Sequence, residues 1–199
     1  MKWILYACIG YMMLYSVVWL HEIGHSVFYA HYGCKKNWLH VTVKPYIFFS
    51  TPAPLETDQL YKITKKQNTI IAYGGVLSNA FWSMVSIAVL CFIKIENIYL
   101  LFSIWLFLTL HLVEIVSYLF VGNIYLVSDM ASIAQCYPKL RFPNLMLGCI
   151  LTVVYLFVLS IVPSEIFWPV LVWNAATFLC MCGGRIVFSA IHAKRRNDG

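Results

Sequence analysis

The sequence predicts an all-α polytopic membrane protein with about five transmembrane helices and a short β-hairpin or re-entrant strand segment after the first helix. The composition is the first reason, because 61% of the 199 residues are hydrophobic and only 11% are charged. An ordinary soluble domain is much less apolar than this. The second reason is that apolar runs of about 20 residues, the length that spans a bilayer as a helix, recur along the whole chain.

Five apolar stretches are long enough to span the bilayer. They cover residues 3–32, 69–93, 97–121, 142–162 and 166–191. Because they leave little room for a separate soluble domain, we expect residues 1–199 to form a single integral-membrane domain with short loops. Residues 38–49, between the first two stretches, are rich in β-branched and aromatic side chains, the composition of strands. Pro45 within this segment indicates a bend or an edge strand.

The basic residues predict how the chain is oriented. Twelve of the 14 Lys and Arg residues lie on one side of the five predicted spans, and only Lys2 and Lys94 lie on the other. Since Lys and Arg concentrate in cytoplasmic loops, we expect a multi-pass protein of the cell membrane with its N-terminus outside and its C-terminus in the cytoplasm. The net charge of +6 then comes from basic residues that orient the spans in the membrane. A nucleic-acid partner is not expected, because the basic residues border apolar spans instead of forming a docking face.

A group of polar residues interrupts the first apolar stretch. His21, Glu22 and His25 form the pattern H-E-x-x-H. On a helix, residues i and i+4 lie on one face, so the two imidazoles can bind one metal ion while Glu22 stays free to accept a proton. A catalytic zinc site needs three protein ligands and one open position for water. Ionisable residues are costly inside a membrane span and usually mark a functional site, although the same residues could simply be structural polar groups.

In this setting the chain resembles the site-2 protease family, whose members are intramembrane zinc metalloproteases. The sequence H-E-I-G-H lies in a predicted membrane helix, and G-G-V-L-S-N at residues 74–79 is similar to the Gly-x-x-x-Asn element of that family. The alternative for the second motif is ordinary packing of membrane helices through small residues. The resemblance covers about residues 15–132, the catalytic core, and leaves the additional helices at residues 142–192 unmatched.

The resemblance also implies a third metal ligand. The family carries an Asn, a Pro and then Leu-Asp-Gly, whose Asp binds the metal. The corresponding segment here is N-I-Y-L-V-S-D-M, in which Asn123 and Asp129 match by residue type. The spacing is shorter, the Pro is absent and Met130 stands in place of Gly. Despite these departures, Asp129 is the predicted third ligand, because it is the acidic residue that corresponds to the metal-binding Asp of the family.

Glu114 competes with Asp129 for this role. It lies three residues after His111 in the third span, and residues at this spacing share a helix face. The pair could stabilise the helix bundle through a buried hydrogen bond. Alternatively, Glu114 could replace Asp129 as the third ligand, or Glu114 and His111 could orient a metal-bound imidazole.

The resemblance implies that the protein is an intramembrane zinc metalloendopeptidase that cuts a membrane-associated protein or a precursor peptide near the cytoplasmic face. One Zn²⁺ per chain would be held by His21, His25 and Asp129, and Glu22 would activate the attacking water. Asn79 and Asn123 are the implied substrate-binding residues, and a free strand edge at residues 38–49 could hold an unwound substrate. The alternatives are a non-catalytic metal-binding membrane protein and a membrane hydrolase of a lipid or a small amide.

Overall fold

The computed structural model describes residues 2–46 and 50–197. In chain order its elements are α1 (Lys2–His31), α2 (Thr57–Leu60), α3 (Lys65–Phe92), α4 (Ile98–Val116), a π-helical segment (Ser117–Gly122), α5 (Asn123–Tyr125), α6 (Ser128–Cys136), a 3-10 turn (Pro138–Leu140), α7 (Arg141–Ser160) and α8 (Ser164–Asn197).

Five helical stretches are long and apolar enough to cross a membrane, which confirms the predicted all-α polytopic class. They are Lys2–His31, Lys65–Phe92, Ile98–Tyr125, Pro138–Ser160 and Ser164–Val187. A helix satisfies every backbone hydrogen bond within one segment, so it is one of the few structures that can lie in lipid. The chain is therefore a multi-pass membrane protein.

Local sequence signals fix several of the helix ends. Helix α1 ends at His31, and Gly33 in the turn that follows has a φ of +74°, a left-handed conformation that glycine adopts without strain. Helix α3 begins with a capping box. The Thr64 hydroxyl oxygen accepts a hydrogen bond from the Gln67 backbone N–H, and the Gln67 side-chain oxygen accepts one from the Thr64 backbone N–H. The Asn97 side-chain oxygen accepts hydrogen bonds from two backbone N–H groups at the start of α4. These caps satisfy donors that a helix leaves unpaired.

Helix α4 is the central element of the bundle. It packs against α1, α3, α7 and α8, and Phe102, Leu106 and Leu110 on it are fully buried. The surrounding helices expose large apolar side chains such as Val153 and Leu179, which are 68% and 69% exposed. Since an apolar side chain gains nothing by leaving lipid, these outward faces fit contact with acyl chains.

The segment between α1 and α2 contains no strand among its described residues. An isolated antiparallel bridge joins Thr42 to Thr51, and the Lys35 ammonium donates to the carbonyl oxygens of His40 and Pro52. These contacts fold the segment back on itself near the end of α1. Ile47, Phe48 and Phe49, which belong to the predicted hairpin, lie outside the described residues, so the hairpin itself stays a prediction.

The chain leaves α4 through an irregular turn. The π-helical segment Ser117–Gly122 follows α4 directly, and π-helical turns occur frequently at functional sites. Leu126 and Ser128 then have φ values of 51° and 55°, a left-handed conformation that costs roughly 1–2 kcal/mol for a residue with a side chain. This turn ends the third span and starts α6 with Asp129 in its first turn.

Candidate metal centre

Helix α1 carries the two histidines of the H-E-x-x-H pattern side by side. His21 and His25 are one helical turn apart, and both are buried. Their Nε2 atoms lie 3.1 Å from each other. Glu22 is also buried. It lines a polar cavity that reaches both histidines and a larger cavity that reaches His21.

Asp129 is the residue that joins this pair. Its Oδ2 atom lies 3.3 Å from Nε2 of His25 and 3.7 Å from Nε2 of His21. Among the described residues, these three side chains form the one group of His, Cys, Asp or Glu that could hold a metal ion. The sequence separates Asp129 from the histidines by about 100 positions, and the turn after α4 brings it back to α1.

The spacing of the three atoms fits a tetrahedral metal ion. Ligand atoms held about 2.0–2.2 Å from a tetrahedral zinc lie about 3.3–3.6 Å from one another, and the distances here are 3.1, 3.3 and 3.7 Å. Two imidazole nitrogens and one carboxylate oxygen are also ligands that zinc accepts. Three protein ligands leave one position of the tetrahedron open.

The charge state of Asp129 is suitable for a ligand. Burial raises the pKa of its carboxyl group, but the neighbouring His25 and His21 lower it by more. The pKa therefore lies below its usual range. A lowered pKa favours the ionised carboxylate, which is the form that binds a metal.

Each histidine uses its other ring nitrogen for a hydrogen bond within the protein. Nδ1 of His25 lies 2.7 Å from the carbonyl oxygen of Ile71, and Nδ1 of His21 lies 3.1 Å from Oε2 of Glu114. Nδ1 of His21 also lies 3.1 Å from the Asn79 amide nitrogen. Since a carbonyl and a carboxylate both accept, these contacts favour a proton on each Nδ1, which would leave each Nε2 free to bind a metal ion. Metal-bound histidines are commonly oriented in this way.

Glu114 belongs to a buried network behind His21. The Asn79 side-chain amide donates to Oε2 of Glu114 at 2.9 Å, and Nδ1 of His111 donates to Oδ1 of Asn79 at 2.9 Å. All three residues are almost fully buried. Glu114 therefore contacts the nitrogen of His21 that faces away from Asp129, the position expected of a residue that orients the ligand.

Three glycines let α1 and α3 approach closely at the centre. A Cβ on Gly24 would lie 2.3 Å from the Gly74 carbonyl oxygen, and one on Gly74 would lie 2.6 Å from the Gly24 carbonyl oxygen. A Cβ on Gly75 would lie 2.3 to 2.6 Å from ring atoms of His21 and His25. Gly24 and Gly74 thus permit the helix contact, and Gly75 leaves room for the imidazoles.

Two cavities open on the centre. A polar cavity of about 220 Å³ is lined by His21, Glu22, His25 and Asp129. A larger cavity of about 440 Å³ between α1 and α8 also reaches His21 and Glu22, and its walls are mostly apolar. A metal ion here would therefore be accessible to water from one side and to an apolar ligand from the other.

The structure places the two predicted substrate-binding asparagines away from these cavities. Asn79 is fully buried in the network behind His21 and lines neither cavity. The Asn123 amide donates to the backbone carbonyl of Arg141 at 2.7 Å, and Asn123 also lines neither cavity. Their substrate-binding role stays a prediction.

Two residues beside the centre were missed by the sequence reasoning. The Tyr118 ring stacks on His21, with ring centres 4.7 Å apart and an angle of 15° between the planes. The Arg185 guanidinium lies over that same tyrosine ring, 3.8 Å from its centre. The sequence did not single out Tyr118, and Arg185 was counted only among the twelve basic residues on one side of the spans, although an arginine inside an apolar stretch is itself a signal of function.

Compared with known proteins, the chain matches no family model, no curated protein and no solved structure.

Proposed function

We propose that the protein is an intramembrane zinc metalloendopeptidase that hydrolyses a peptide bond of a membrane-associated protein or precursor peptide near the cytoplasmic face. The observation that carries the proposal is the meeting of His21, His25 and Asp129 beside a buried Glu22, inside a bundle of membrane-spanning helices. The resemblance of H-E-I-G-H, G-G-V-L-S-N and N-I-Y-L-V-S-D-M to the site-2 protease family supports the same conclusion.

The side chains of the candidate metal centre have separate roles in the proposed reaction. His21, His25 and Asp129 would hold the ion. Bound zinc supplies Lewis acidity and lowers the pKa of a coordinated water to about 7. Glu22 removes the proton from the attacking water and returns it to the amine that leaves. Glu114 holds His21 in place through Nδ1.

The strand edge predicted at residues 38–49 has a role in this proposal. A helical substrate hides its carbonyl groups in its own hydrogen bonds, so it must unwind before it is cut. An added strand at a free edge would hold it open. The antiparallel bridge between Thr42 and Thr51 is consistent with such an edge near the end of α1.

The cavities favour catalysis over a purely structural metal. Structural zinc sites are closed by four protein ligands, whereas catalytic sites keep one position open. Glu22 and the three ligands all line the polar cavity of about 220 Å³. The apolar cavity of about 440 Å³ would also accept a lipid chain, so a lipid or small-amide hydrolase is the second candidate.

Hydrolysis by the purified protein in detergent micelles tests the proposal. Cleavage of quenched fluorescent peptides of apolar sequence is measured in parallel with hydrolysis of phospholipid and fatty-amide substrates. We expect peptide cleavage that a chelator abolishes and zinc restores. Glu22→Gln should keep about one zinc per chain by elemental analysis while the rate falls about 100- to 10,000-fold, the contribution of a general base. His25→Ala should lose the zinc as well.

Two results would contradict this proposal. A Glu22→Gln variant that cleaves at the normal rate rules out the assigned mechanism. Hydrolysis of the lipid or amide substrates without cleavage of any peptide would favour the second candidate.

A further inference from the structure

A buried arginine lies at the boundary of the larger cavity. Arg185 is only 9% exposed, although a charged side chain is costly to bury without a partner of opposite charge. None of the ion pairs between described residues includes Arg185. Among the described residues, Arg185 therefore has no carboxylate within ion-pair distance.

The existing contacts of Arg185 leave part of its guanidinium unused. One terminal nitrogen donates to the Ser117 hydroxyl at 3.2 Å, and the face of the group lies on the Tyr118 ring. The Nε atom is buried and has no hydrogen-bond partner in the part of the chain that the structure describes. Because a guanidinium presents its donors as a fork that matches a carboxylate, the free edge is suited to bind one.

Glu114 lines the same cavity and is close enough to be attracted by the Arg185 charge, but the two side chains do not form a direct ion pair. Its Oε2 atom accepts from the Asn79 amide at 2.9 Å and lies 3.1 Å from Nδ1 of His21. Glu114 is thus committed to the network behind the metal ligands.

The cavity connects Arg185 to the metal centre. Its apolar walls include Leu14, Val18, Trp173 and Met181, and its polar lining includes Glu22 and Arg185. One tyrosine ring contacts both the His21 imidazole and the Arg185 guanidinium, 4.7 Å and 3.8 Å from its centre. These two distances limit the separation of the two groups to about two or three residues of extended chain, at about 3.3–3.6 Å per residue.

We propose that the cavity between α1 and α8 binds an apolar segment of the peptide substrate, and that Arg185 binds a carboxylate of that segment about two or three residues from the bond that is cut. The carboxylate is either the C-terminus of a peptide or an Asp or Glu side chain. This inference rests on the proposed endopeptidase function. It makes Arg185 a residue that determines specificity.

Binding to an uncleaving enzyme tests the inference separately from catalysis. The Glu22→Gln variant, loaded with zinc in detergent micelles, is titrated into apolar peptides that carry a dye at the N-terminus, and binding is read from fluorescence anisotropy. One pair of peptides differs by a free or an amidated C-terminus. A second set is amidated and carries Asp or Asn at successive positions.

We expect the carboxylate peptide of a matched pair to bind about 10- to 100-fold more tightly than its neutral partner, as hydrogen bonds to a charged group allow. A preference within the first pair identifies a terminal carboxylate, and a preference for Asp over Asn identifies a side chain. Adding Arg185→Gln should abolish the preference, and Arg185→Lys should keep part of it. Lys139→Gln, which removes an exposed cation outside the cavity, is the matched control and should leave the preference unchanged.

The ratio of the two affinities separates recognition from a purely structural role. If Arg185 only holds Tyr118 in place, Arg185→Gln weakens both peptides equally and the ratio is unchanged, which overturns the inference. The absence of any binding by the apolar peptides also overturns it. Cleavage by the protein with an intact Glu22 but without a carboxylate preference would refute this subsite and leave the proposed function standing. A carboxylate preference that depends on Arg185, without cleavage of any peptide, would support Arg185 as a carboxylate-binding residue and refute the proposed endopeptidase function.

Discussion

His21 has both of its ring nitrogens engaged, and this determines the roles of two competing carboxylates. Nε2 faces His25 and Asp129, and Nδ1 faces Glu114. An imidazole can bind a metal through one nitrogen while the other donates a hydrogen bond. This geometry supports our proposal that Asp129 is the third ligand and that Glu114 orients His21.

This arrangement predicts different effects for the two carboxylates on zinc affinity. Glu114→Gln keeps the shape of the side chain but removes its charge, and we expect zinc affinity to fall about 10- to 100-fold, as is usual for a residue that orients a ligand. Asp129→Asn removes a metal bond and should cause a larger loss. Competition with a chromogenic chelator measures both.

Glu165→Gln is the control for these two variants, because Glu165 is an exposed acidic residue at the start of α8, and it should not alter zinc affinity. If Glu114→Gln proved more damaging than Asp129→Asn, Glu114 would be the third ligand.

At the scale of the elements, the contact between α1 and α3 forms the back of the metal centre. Helix α1 packs more extensively against α3 than against any other element. Gly24 and Gly74 meet through their backbones, and Gly75 faces the two imidazoles. Larger side chains at these positions would push the helices apart or displace the ligands.

Gly75→Ala should therefore impair zinc binding. Its Cβ would lie within 2.6 Å of both imidazoles, so the rings must move, and overpacking of this kind typically costs about 1–3 kcal/mol. We expect zinc affinity to fall by about 10-fold or more. The measurement is zinc content and chelator competition on the purified variant.

Gly183→Ala is the matched control, because a Cβ at Gly183 has no atom within 4 Å and zinc binding should be normal. Gly74→Ala disturbs the backbone contact instead, so it should lower the thermal unfolding temperature in detergent. A Gly75→Ala variant with normal zinc affinity would contradict this geometry.

At the scale of the whole molecule, the five candidate spans of the described residues would place the termini on opposite sides of the membrane if all five cross it. The metal centre lies where the C-terminal part of α1, the N-terminal part of α3 and the turn after α4 meet. Twelve of the 14 basic residues belong to the same side. The charge bias thus predicts that the centre opens toward the cytoplasm.

Reporter fusions in a bacterial inner membrane test this orientation. A green fluorescent protein fused after α8 should fluoresce, and alkaline phosphatase at the same place should be inactive, because the first folds in the cytoplasm and the second outside it. Fusions after Glu96, between α3 and α4, serve as the control and should give the opposite pattern. The reverse result at both positions would place the N-terminus in the cytoplasm.

The sequence by itself determined the elements of this protein and part of its centre. Apolar runs of membrane-spanning length predicted the five helices, because lipid leaves the backbone few other structures. The spacing of His21 and His25 predicted that the two imidazoles share a helix face, since that spacing is a property of every α-helix.

Only the tertiary structure decided which distant residues complete the centre. Asp129 and Glu114 are both acidic and both close to the end of the third span, so sequence left the third ligand open. The turn through Leu126 and Ser128 brings Asp129 to Nε2 of both histidines, and α4 holds Glu114 at Nδ1 of His21. The approach of Arg185 from α8 to Tyr118 depends in the same way on how helices far apart in the chain pack together, which no local pattern encodes.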